Sequence, residues 1–236
     1  MKKILILSLI ISTALTANSY AKTQGVLVGV SYVLTHAKYK EVLHYKETVT
    51  NKTFIGKRYS HNFNGAAIDL KYAVNVNNFF IAPGIFYEQS SFGGDDSSRK
   101  NSNPKDVRGI QVQQRFGAKV DLGYDINYYL QNGRRTVSPF VTGGYGAIKY
   151  KSKAALHDFA ENNKNETTVN EDYDLNWFIG GGMKFDVTNN IAINTEYNWQ
   201  KADFKSQRPD RLVKNYHPAR YKAALHILKV GIVAKF

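Results

Sequence analysis

Apolar and polar side chains alternate along most of the chain after residue 24, and this period of two predicts β-strands. The clearest run is residues 114–128, QRFGAKVDLGYDINY, in which every second side chain is apolar from Phe116 to Tyr128. An amphipathic helix would instead repeat every 3.6 residues or so. The pattern predicts eight strands, at residues 25–35, 65–74, 79–88, 114–128, 137–150, 175–187, 191–200 and 221–236. Glycines leave the facing of 137–150 undecided.

The connections between these strands alternate in length. Short segments rich in Asn and Gly, which favour tight turns, are NVNN, LQNGRRT and TNN. The other four connections each take about 20–27 residues. Sheets cross a bilayer only when closed, because every backbone polar group needs a partner in hydrocarbon. We therefore predict an all-β fold, an eight-stranded antiparallel up-and-down transmembrane β-barrel with long extracellular loops and short periplasmic turns.

A soluble barrel of lipocalin type has the same alternation, with its apolar face inside. Alternation alone does not distinguish the two. The face opposite the apolar one is rich in Gly, Ala and charges of both signs, and it is too small to form a soluble core. This favours the membrane barrel over the soluble binding barrel.

The first 21 residues, MKKILILSLIISTALTANSYA, have the build of a secretory signal peptide. Two lysines precede a short apolar run, and small residues at Ser19 and Ala21 indicate cleavage after Ala21. The alternative, a membrane anchor, requires a longer apolar run. We expect 1–21 to be removed and 22–236 to form a single outer-membrane barrel domain. The chain has no cysteine, which excludes disulfides and zinc–thiolate sites.

Charge enters at two places. On the predicted inward face, charges of both signs are expected to form an ion-pair network that plugs the lumen, because buried charges persist only when paired. These residues are Asp69, Lys71, Arg115, Lys119, Asp121, Asp125, Lys184, Asp186, Glu196 and Lys229. The alternative is a conducting lumen, which would make the protein a small-solute porin.

The chain is also basic overall, with 32 Lys and Arg against 19 Asp and Glu. Much of the excess lies in predicted loops, where it suits anions such as lipopolysaccharide phosphates or sulfated host glycans. The candidate anion-binding residues are Lys38, Lys40, Lys57, Arg58, Lys205, Arg208, Arg211, Lys214 and Arg220. The alternative is a solvated basic surface with no ligand. Export argues against nucleic acid as the partner.

No motif for catalysis, a metal or a cofactor stands out. His226 falls on the outward face without a serine at a suggestive spacing on the same strand, and the other histidines are scattered through predicted loops. We therefore predict a protein that is not an enzyme, with no catalytic residue, no metal site and no cofactor.

The signal peptide, the eight strands, the segment PFVTGGYGAIKY and the ending LKVGIVAKF together resemble the small outer-membrane barrels of the opacity-protein and surface-antigen families, akin to the OmpA-type membrane domain. In those families a terminal aromatic residue, preceded by alternating apolar residues, is read by the barrel-assembly machinery. The matching residues here are Leu228, Val230, Ile232, Ala234 and Phe236. The resemblance implies a monomeric surface antigen or adhesin in the bacterial outer membrane. Its implied partners are membrane lipid and lipopolysaccharide, the assembly machinery, and a host-surface glycan or protein.

Overall fold

In the computed structural model the chain forms one closed antiparallel β-barrel, and the structure describes residues 23–46, 51–92, 108–130, 133–157, 165–206 and 219–236. The strands are β1 (Gly25–Lys46), β2 (Asn51–Val76), β3 (Phe79–Phe92), β4 (Arg108–Tyr124), β5 (Ile126–Leu130), β6 (Gly133–His157), β7 (Asn165–Asp186), β8 (Ile191–Ser206) and β9 (Ala219–Lys235). Successive strands pair in order except β4 and β5, which both pair with β6, and β9 pairs with β1. β4 and β5 are two parts of one barrel strand that is interrupted at Asp125. Counting them as one gives eight barrel strands, which we call walls, and the predicted eight-stranded up-and-down fold is confirmed.

The tight turn between β2 and β3, the first described residues and the C-terminal Phe236 meet at one end of the barrel, which we call the turn end. Asn77 and Asn78 connect β2 to β3 with φ angles of 51° and 74°. Two consecutive positive φ angles are typical of the type I′ turn, and Asn tolerates this conformation better than most residues. Near the same end, Val26 and Phe236 exchange backbone hydrogen bonds of 3.1 and 2.9 Å, which closes the first strand onto the last.

Each wall turns one alternating row of side chains outward. Outward β-branched residues are contributed by all eight walls, and their exposed fractions run from 37% at Val120 to 60% at Val141: Val30, Ile68, Ile85, Val120, Val141, Ile179, Ile193 and Val230. In β6, whose facing the sequence leaves undecided, Val141 and Tyr145 point outward and Phe140 and Thr142 point inward. The middle of the barrel therefore presents an apolar exterior.

The strands are much longer than the sequence predicts. The spacing of apolar residues predicts a loop of about 27 residues after the first strand, but β1 continues to Lys46 and β2 already begins at Asn51. The two remain paired over this length, from Lys38 opposite Ser60 to Tyr45 opposite Lys52. Residues 165–172, predicted as part of a polar loop, likewise belong to β7 and pair with β6. Main-chain pairing continues here without the outward apolar residues on which the prediction depended.

Along these extensions the two faces of the sheet exchange character. On β9 the outward side chains change from Ile232, Val230 and Leu228 to Ala224 and Lys222, while the inward ones change from Lys229 to Ile227 and Leu225. We call the part with the apolar exterior the lower section and the part beyond it the upper section. The upper section encloses a buried apolar cluster, the upper core: Val33, Ala37, Tyr39, Phe63, Ala67, Val112, Ile148, Tyr150, Ala202, Phe204, Tyr221, Ala223, Leu225 and Ile227.

The exchange occurs at one level across three adjoining strands. His36 on β1 lies opposite His226 on β9, which lies opposite Trp199 on β8. One pair of residues nearer the turn end, Leu34, Leu228 and Tyr197 form the corresponding row. The described residues include no helix long and apolar enough to cross a membrane.

Candidate functional site

The lower section encloses a densely charged interior. All ten residues predicted for the lumen are buried inside the barrel, each no more than 6% exposed. Two residues that the prediction leaves out join them, Glu88 and Lys235. Both stand at inward positions of the alternation, so their parity was a readable signal. The buried set contains six cations and six carboxylates, so the described interior has no net formal charge: Lys71, Arg115, Lys119, Lys184, Lys229, Lys235, Asp69, Glu88, Asp121, Asp125, Asp186 and Glu196.

The centre of this network is the carboxylate of Glu196 on β8. The Lys119 ammonium donates hydrogen bonds of 3.0 and 2.9 Å to its two oxygens. Lys229 and Lys71 approach the same carboxylate at 3.6 and 3.9 Å. Lys119 also lies 2.8 Å from Asp69, and Lys71 lies 2.6 Å from Asp121. Each ammonium is thereby shared between two carboxylates, which offsets the cost of removing the charges from water.

A second group lies toward the upper section. Arg115 on β4 contacts Glu88 on β3 at 2.5 Å, and Lys229 pairs with the same carboxylate. The Arg115 Nε donates a hydrogen bond of 2.9 Å to Gln200. The guanidinium also lies over Phe86 and Phe178, at 5.5 and 5.7 Å from the ring centroids. These two rings meet edge to face at 5.4 Å and fill the lumen at this level.

Lys184 is the least well paired of the buried cations. Its ammonium lies 3.9 Å from Asp121 and has no hydrogen-bond acceptor among the described residues. Its closest surroundings are the rings of Phe80 and Phe140, whose centroids are 4.2 and 4.9 Å away. A desolvated cation over aromatic faces is stabilised by the ring quadrupoles, which partly replaces the missing acceptors.

At the turn end, Asp125 ties together four parts of the chain. Its carboxylate accepts hydrogen bonds from the Thr23 backbone N–H at 2.8 Å, the Thr23 hydroxyl at 2.8 Å, Asn75 at 2.7 Å and Ser138 at 2.6 Å. Its own N–H donates to the Asn78 carbonyl at 2.7 Å, beside the turn that joins β2 to β3. Beside it, Asp186 pairs with Lys235 at 2.6 Å.

Inward glycines let phenylalanine side chains lie flat across the interior. A Cβ atom on Gly144 would lie 2.7 Å from the Phe178 ring, and one on Gly182 would lie 2.6 Å from the Phe140 ring. Such distances do not occur between real side chains, and each Cβ would lie closer still to a backbone carbonyl oxygen, that of Ala118 or that of Thr195, so both positions exclude larger residues. From the Asp125 group, through the charged network, to the upper core, the described interior is filled by side chains.

Two histidines, His36 and His226, lie close together on the outer surface. His226 hydrogen-bonds Tyr197 at 2.7 Å, and His36 hydrogen-bonds Asn62 at 2.6 Å. The two imidazole rings are 6.3 Å apart. Within the described part of the chain, neither imidazole contacts a serine or threonine hydroxyl or a carboxylate, which a hydrolytic triad would need. The residues that the structure describes also contain no group of three or more His, Asp or Glu arranged to hold a metal ion.

The predicted anion-binding residues divide into three sets. Lys38, Lys40 and Lys205 stand on strands in the upper section and point outward. Lys57, Arg58 and Arg220 belong to β2 and β9. The remaining three lie outside the described residues: Arg208, Arg211 and Lys214.

The five C-terminal residues proposed as the assembly signal lie on or just beyond β9. Leu228, Val230 and Ile232 are outward and 42%, 46% and 59% exposed. Ala234 continues this row, although only 9% of it is exposed, and Phe236 follows the strand.

The chain matches no protein-family model, and no curated protein matches it. Solved structures with a similar fold include Ail, the attachment invasion locus protein of Yersinia pestis, with 15% sequence identity, 89% of this chain and 99% of that chain covered, and a TM-score of 0.39. Another is the outer membrane protein OprG from Pseudomonas aeruginosa, with 10% identity, 92% and 99% covered and a TM-score of 0.46. A third is the outer membrane protease OmpT from Escherichia coli, with 11% identity, 94% and 99% covered and a TM-score of 0.42. At these identities the likeness concerns the fold.

Proposed function

We propose that this protein is a bacterial outer-membrane β-barrel with a closed lumen, which holds its upper section above the cell surface and acts there as a non-enzymatic surface antigen or adhesin. The observation that carries the proposal is the exchange of faces along single strands. An apolar exterior over a charged interior suits hydrocarbon outside, whereas a polar exterior over an apolar core suits water outside. Both arrangements occur in the same barrel, which suits a protein that stands partly in a bilayer and partly above it.

Two groups of outward aromatic residues support this placement. The ring centroids of Trp177 and Trp199 are 5.6 Å apart near the boundary between the sections, and Tyr145 lies opposite Trp177 on the neighbouring strand. Near the turn end, Phe79 and Tyr124 contact each other at 4.8 Å on the outer surface. Aromatic side chains with these positions match the two girdles that flank the apolar band of a membrane barrel.

Two alternatives, a soluble binding barrel and a small-solute porin, fit the barrel less well. A soluble binding barrel would bury its apolar face, but the lower section buries charges and exposes residues such as Ile68, Val141 and Ile232. A small-solute porin would need a continuous water path, but Phe86, Phe178 and the upper core occupy the interior above the charged network.

Depth-dependent fluorescence quenching tests the membrane placement. The chain contains two tryptophans, Trp177 and Trp199, so the unmodified protein reports on one level. After refolding into vesicles, lipids brominated near the headgroup should quench this fluorescence more than lipids brominated deep in the chains. A variant with both tryptophans replaced by Phe and with Ile68→Trp in the middle of the apolar band should show the reverse order. Fluorescence that neither lipid quenches would contradict the proposal.

We expect the adhesin role to depend on basic residues at the end of β8 and in the segment that follows it in the chain. Replacing Lys205, Arg208, Arg211 and Lys214 by Ser should weaken binding of whole cells to a heparin-coated surface and flatten the dependence of that binding on salt, because screened attraction is the expected cause. Unchanged binding, with the variant present at the cell surface in normal amount, would argue against these residues as the adhesive surface.

A further inference from the structure

Just beyond the boundary between the sections, four lysines stand close together on the outer surface of three adjoining strands. They are Lys38 and Lys40 on β1, Lys222 on β9 and Lys201 on β8. Ala224 lies between Lys38 on one side and Lys201 on the other, and Lys40 lies directly opposite Lys222. Like charges directly opposite each other on one face of a sheet are destabilising unless a counter-charge is present.

A carboxylate does stand beside the four lysines, that of Asp203 on β8, but it forms no ion pair with any of them. None of the four ammonium groups lies within 4 Å of a carboxylate in the described part of the barrel. Asp203 is the register partner of Lys222, yet it makes no ion pair with that lysine, and its Oδ1 has no hydrogen-bond partner among the described residues.

The neighbouring part of the barrel, formed by β6 and β7, shows what a paired basic surface looks like in this protein. Lys149 and Lys151 are outward residues of β6 in the upper section, and both pair with Glu171 on β7, at 3.1 and 3.6 Å. The hydrogen bond to Glu171 and its charge raise the pKa of Lys149 above its usual value. The two clusters of outward lysines therefore differ. Lys149 and Lys151 form ion pairs with Glu171, whereas the four lysines on β1, β8 and β9 form none with a described residue.

The unpaired lysines surround a groove of about 820 Å³. Ala224, Ser60, Asn176 and the carboxylate of Asp203 also border it, so four cations and one anion line the groove. Below the groove the same strands carry His36, His226 and Trp199, and below these Leu34, Leu228 and Tyr197. A ligand that filled the groove and continued downward would meet cations first and an apolar wall next.

We propose that this groove binds the phosphate groups of a phosphorylated, acylated sugar lipid in the outer leaflet, with its acyl chains against the apolar wall below. The inference rests on the proposed membrane placement and adds a defined lipid site to it. A soluble polyanion would use the four lysines but not the apolar wall. The direct succession of the two surfaces on the same strands therefore favours the amphiphile.

Lipid-dependent stabilisation tests the proposal, because a ligand that binds the folded state raises its stability by mass action. Wild type, a variant with Lys38, Lys40, Lys201 and Lys222 replaced by Ser, and a control with Lys149→Ser and Lys151→Ser are refolded into phosphatidylcholine vesicles. The unfolding midpoint is then followed as bisphosphorylated lipid A is added, and in parallel as the same lipid without phosphates is added.

Wild type and the control should be stabilised by the bisphosphorylated lipid, and little by the dephosphorylated one. The four-lysine variant should bind on the order of 1,000-fold more weakly, equivalent to about 4 kcal/mol for four Lys near a charged membrane surface. Equal stabilisation of wild type and the four-lysine variant would overturn the proposal. So would equal effects of the two lipids, or full competition by soluble heparin fragments, which would assign the groove to a soluble polyanion.

Insertion is measured separately from lipid binding. If wild type entered phosphatidylcholine vesicles, by heat-modifiable migration and tryptophan quenching, but ignored the phosphorylated lipid, only the lipid site would be wrong. If wild type entered no vesicle, the proposed membrane placement would itself fail. The four-lysine variant must also insert into pure phosphatidylcholine, which shows that its loss of lipid response is not a failure to fold.

Discussion

Lys119 and Glu196 lie 77 residues apart in the chain and face each other across the barrel interior, with the ammonium 3.0 and 2.9 Å from the two carboxylate oxygens. Glu196 is 1% exposed and Lys119 2% exposed. Neither charge can be relieved by water, so each depends on the other and on the cations and carboxylates around them. The pair is therefore the most direct measure of how the charged network affects stability.

Replacing one member of this pair should lower the free energy of unfolding more than replacing both. Lys119→Met leaves Glu196 and Asp69 short of a cation, and we expect it to lower the free energy of unfolding by about 3–5 kcal/mol. Lys119→Met with Glu196→Gln should recover part of that loss, because no net buried charge is added. Urea unfolding in vesicles, followed by tryptophan fluorescence, measures both. A double variant that loses the sum of the single effects would show that the pair is not coupled.

The refolded protein should be electrically silent in a planar bilayer. Phe86 and Phe178 meet edge to face at 5.4 Å above the network, and the upper core lies beyond them. We expect silence also from the double variant at Lys119 and Glu196, because apolar layers on the outer side still fill the lumen. Discrete, steady conductance from folded wild-type protein would contradict the closed lumen and favour the porin alternative.

Asp125 should hold Thr23, the first described residue, at the turn end. Asp125→Asn replaces one acceptor oxygen by a donor that faces the Thr23 N–H, Asn75 or Ser138. We expect it to lower the free energy of unfolding by about 1.5–3 kcal/mol, the range for hydrogen bonds to a charged group. Tyr128→Phe is the control, because among the described residues the Tyr128 hydroxyl donates only to the Asp186 carbonyl, at 3.4 Å, close to the same end.

The Asp125 and Thr23 effects should also be coupled. Thr23→Val removes the hydroxyl that touches both Asp125 and Ser138. Combined with Asp125→Asn, it should cost less than the sum of the two single variants, because both remove the same hydrogen bond. Simple additivity would mean that Thr23 and Asp125 stabilise the barrel independently.

Two glycines on one strand should respond in opposite ways to the same change. A Cβ on inward Gly146 would lie 2.9 Å from the Phe86 ring, whereas the nearest atom to a Cβ on outward Gly143 is 3.9 Å away. Gly146→Ala should therefore destabilise the barrel by about 1–3 kcal/mol through overpacking, and Gly143→Ala should be neutral or slightly stabilising. Both are measured by urea unfolding.

A second substitution identifies the cause of the Gly146 effect. If the clash with Phe86 is responsible, Phe86→Leu in the Gly146→Ala background should restore part of the lost stability. Equal effects of alanine at Gly143 and Gly146 would instead indicate that backbone freedom, rather than the ring, determines the cost.

The sequence by itself determined the barrel walls. A period of two over eight segments fixes which side chains share a face, because successive residues of a strand point to opposite sides. Hence the outward rows, the inward charges and the Asn-rich turn at Asn77 and Asn78 were all readable. Even Glu88 and Lys235, absent from the predicted network, stand at inward positions of that alternation.

Other features required the tertiary structure, because alternation says nothing about what lies beyond the sheet or across it. The strand extensions keep the same period while the apolar row moves from one parity to the other, as from Leu228 to Ile227, so a search for one apolar face stops at the boundary. A register shift between Val112 and Gln114 changes parity within β4, and no local residue pattern announces it.

Several partners of the inward charges were decided only by closure. Lys229 is the register partner of Glu196 on the adjoining strand, but Lys119 and Lys71 reach the same carboxylate from β4 and β2 because the closed sheet brings them to one height in a lumen just wide enough for side chains. The four unpaired lysines beyond Leu34 and Leu228 likewise come together through the pairing of the first strand with the last two in the chain. Alternation in the sequence therefore determined which side chains share a face within most of the predicted strands, and the closed sheet decided which of the inward and outward side chains meet across strands.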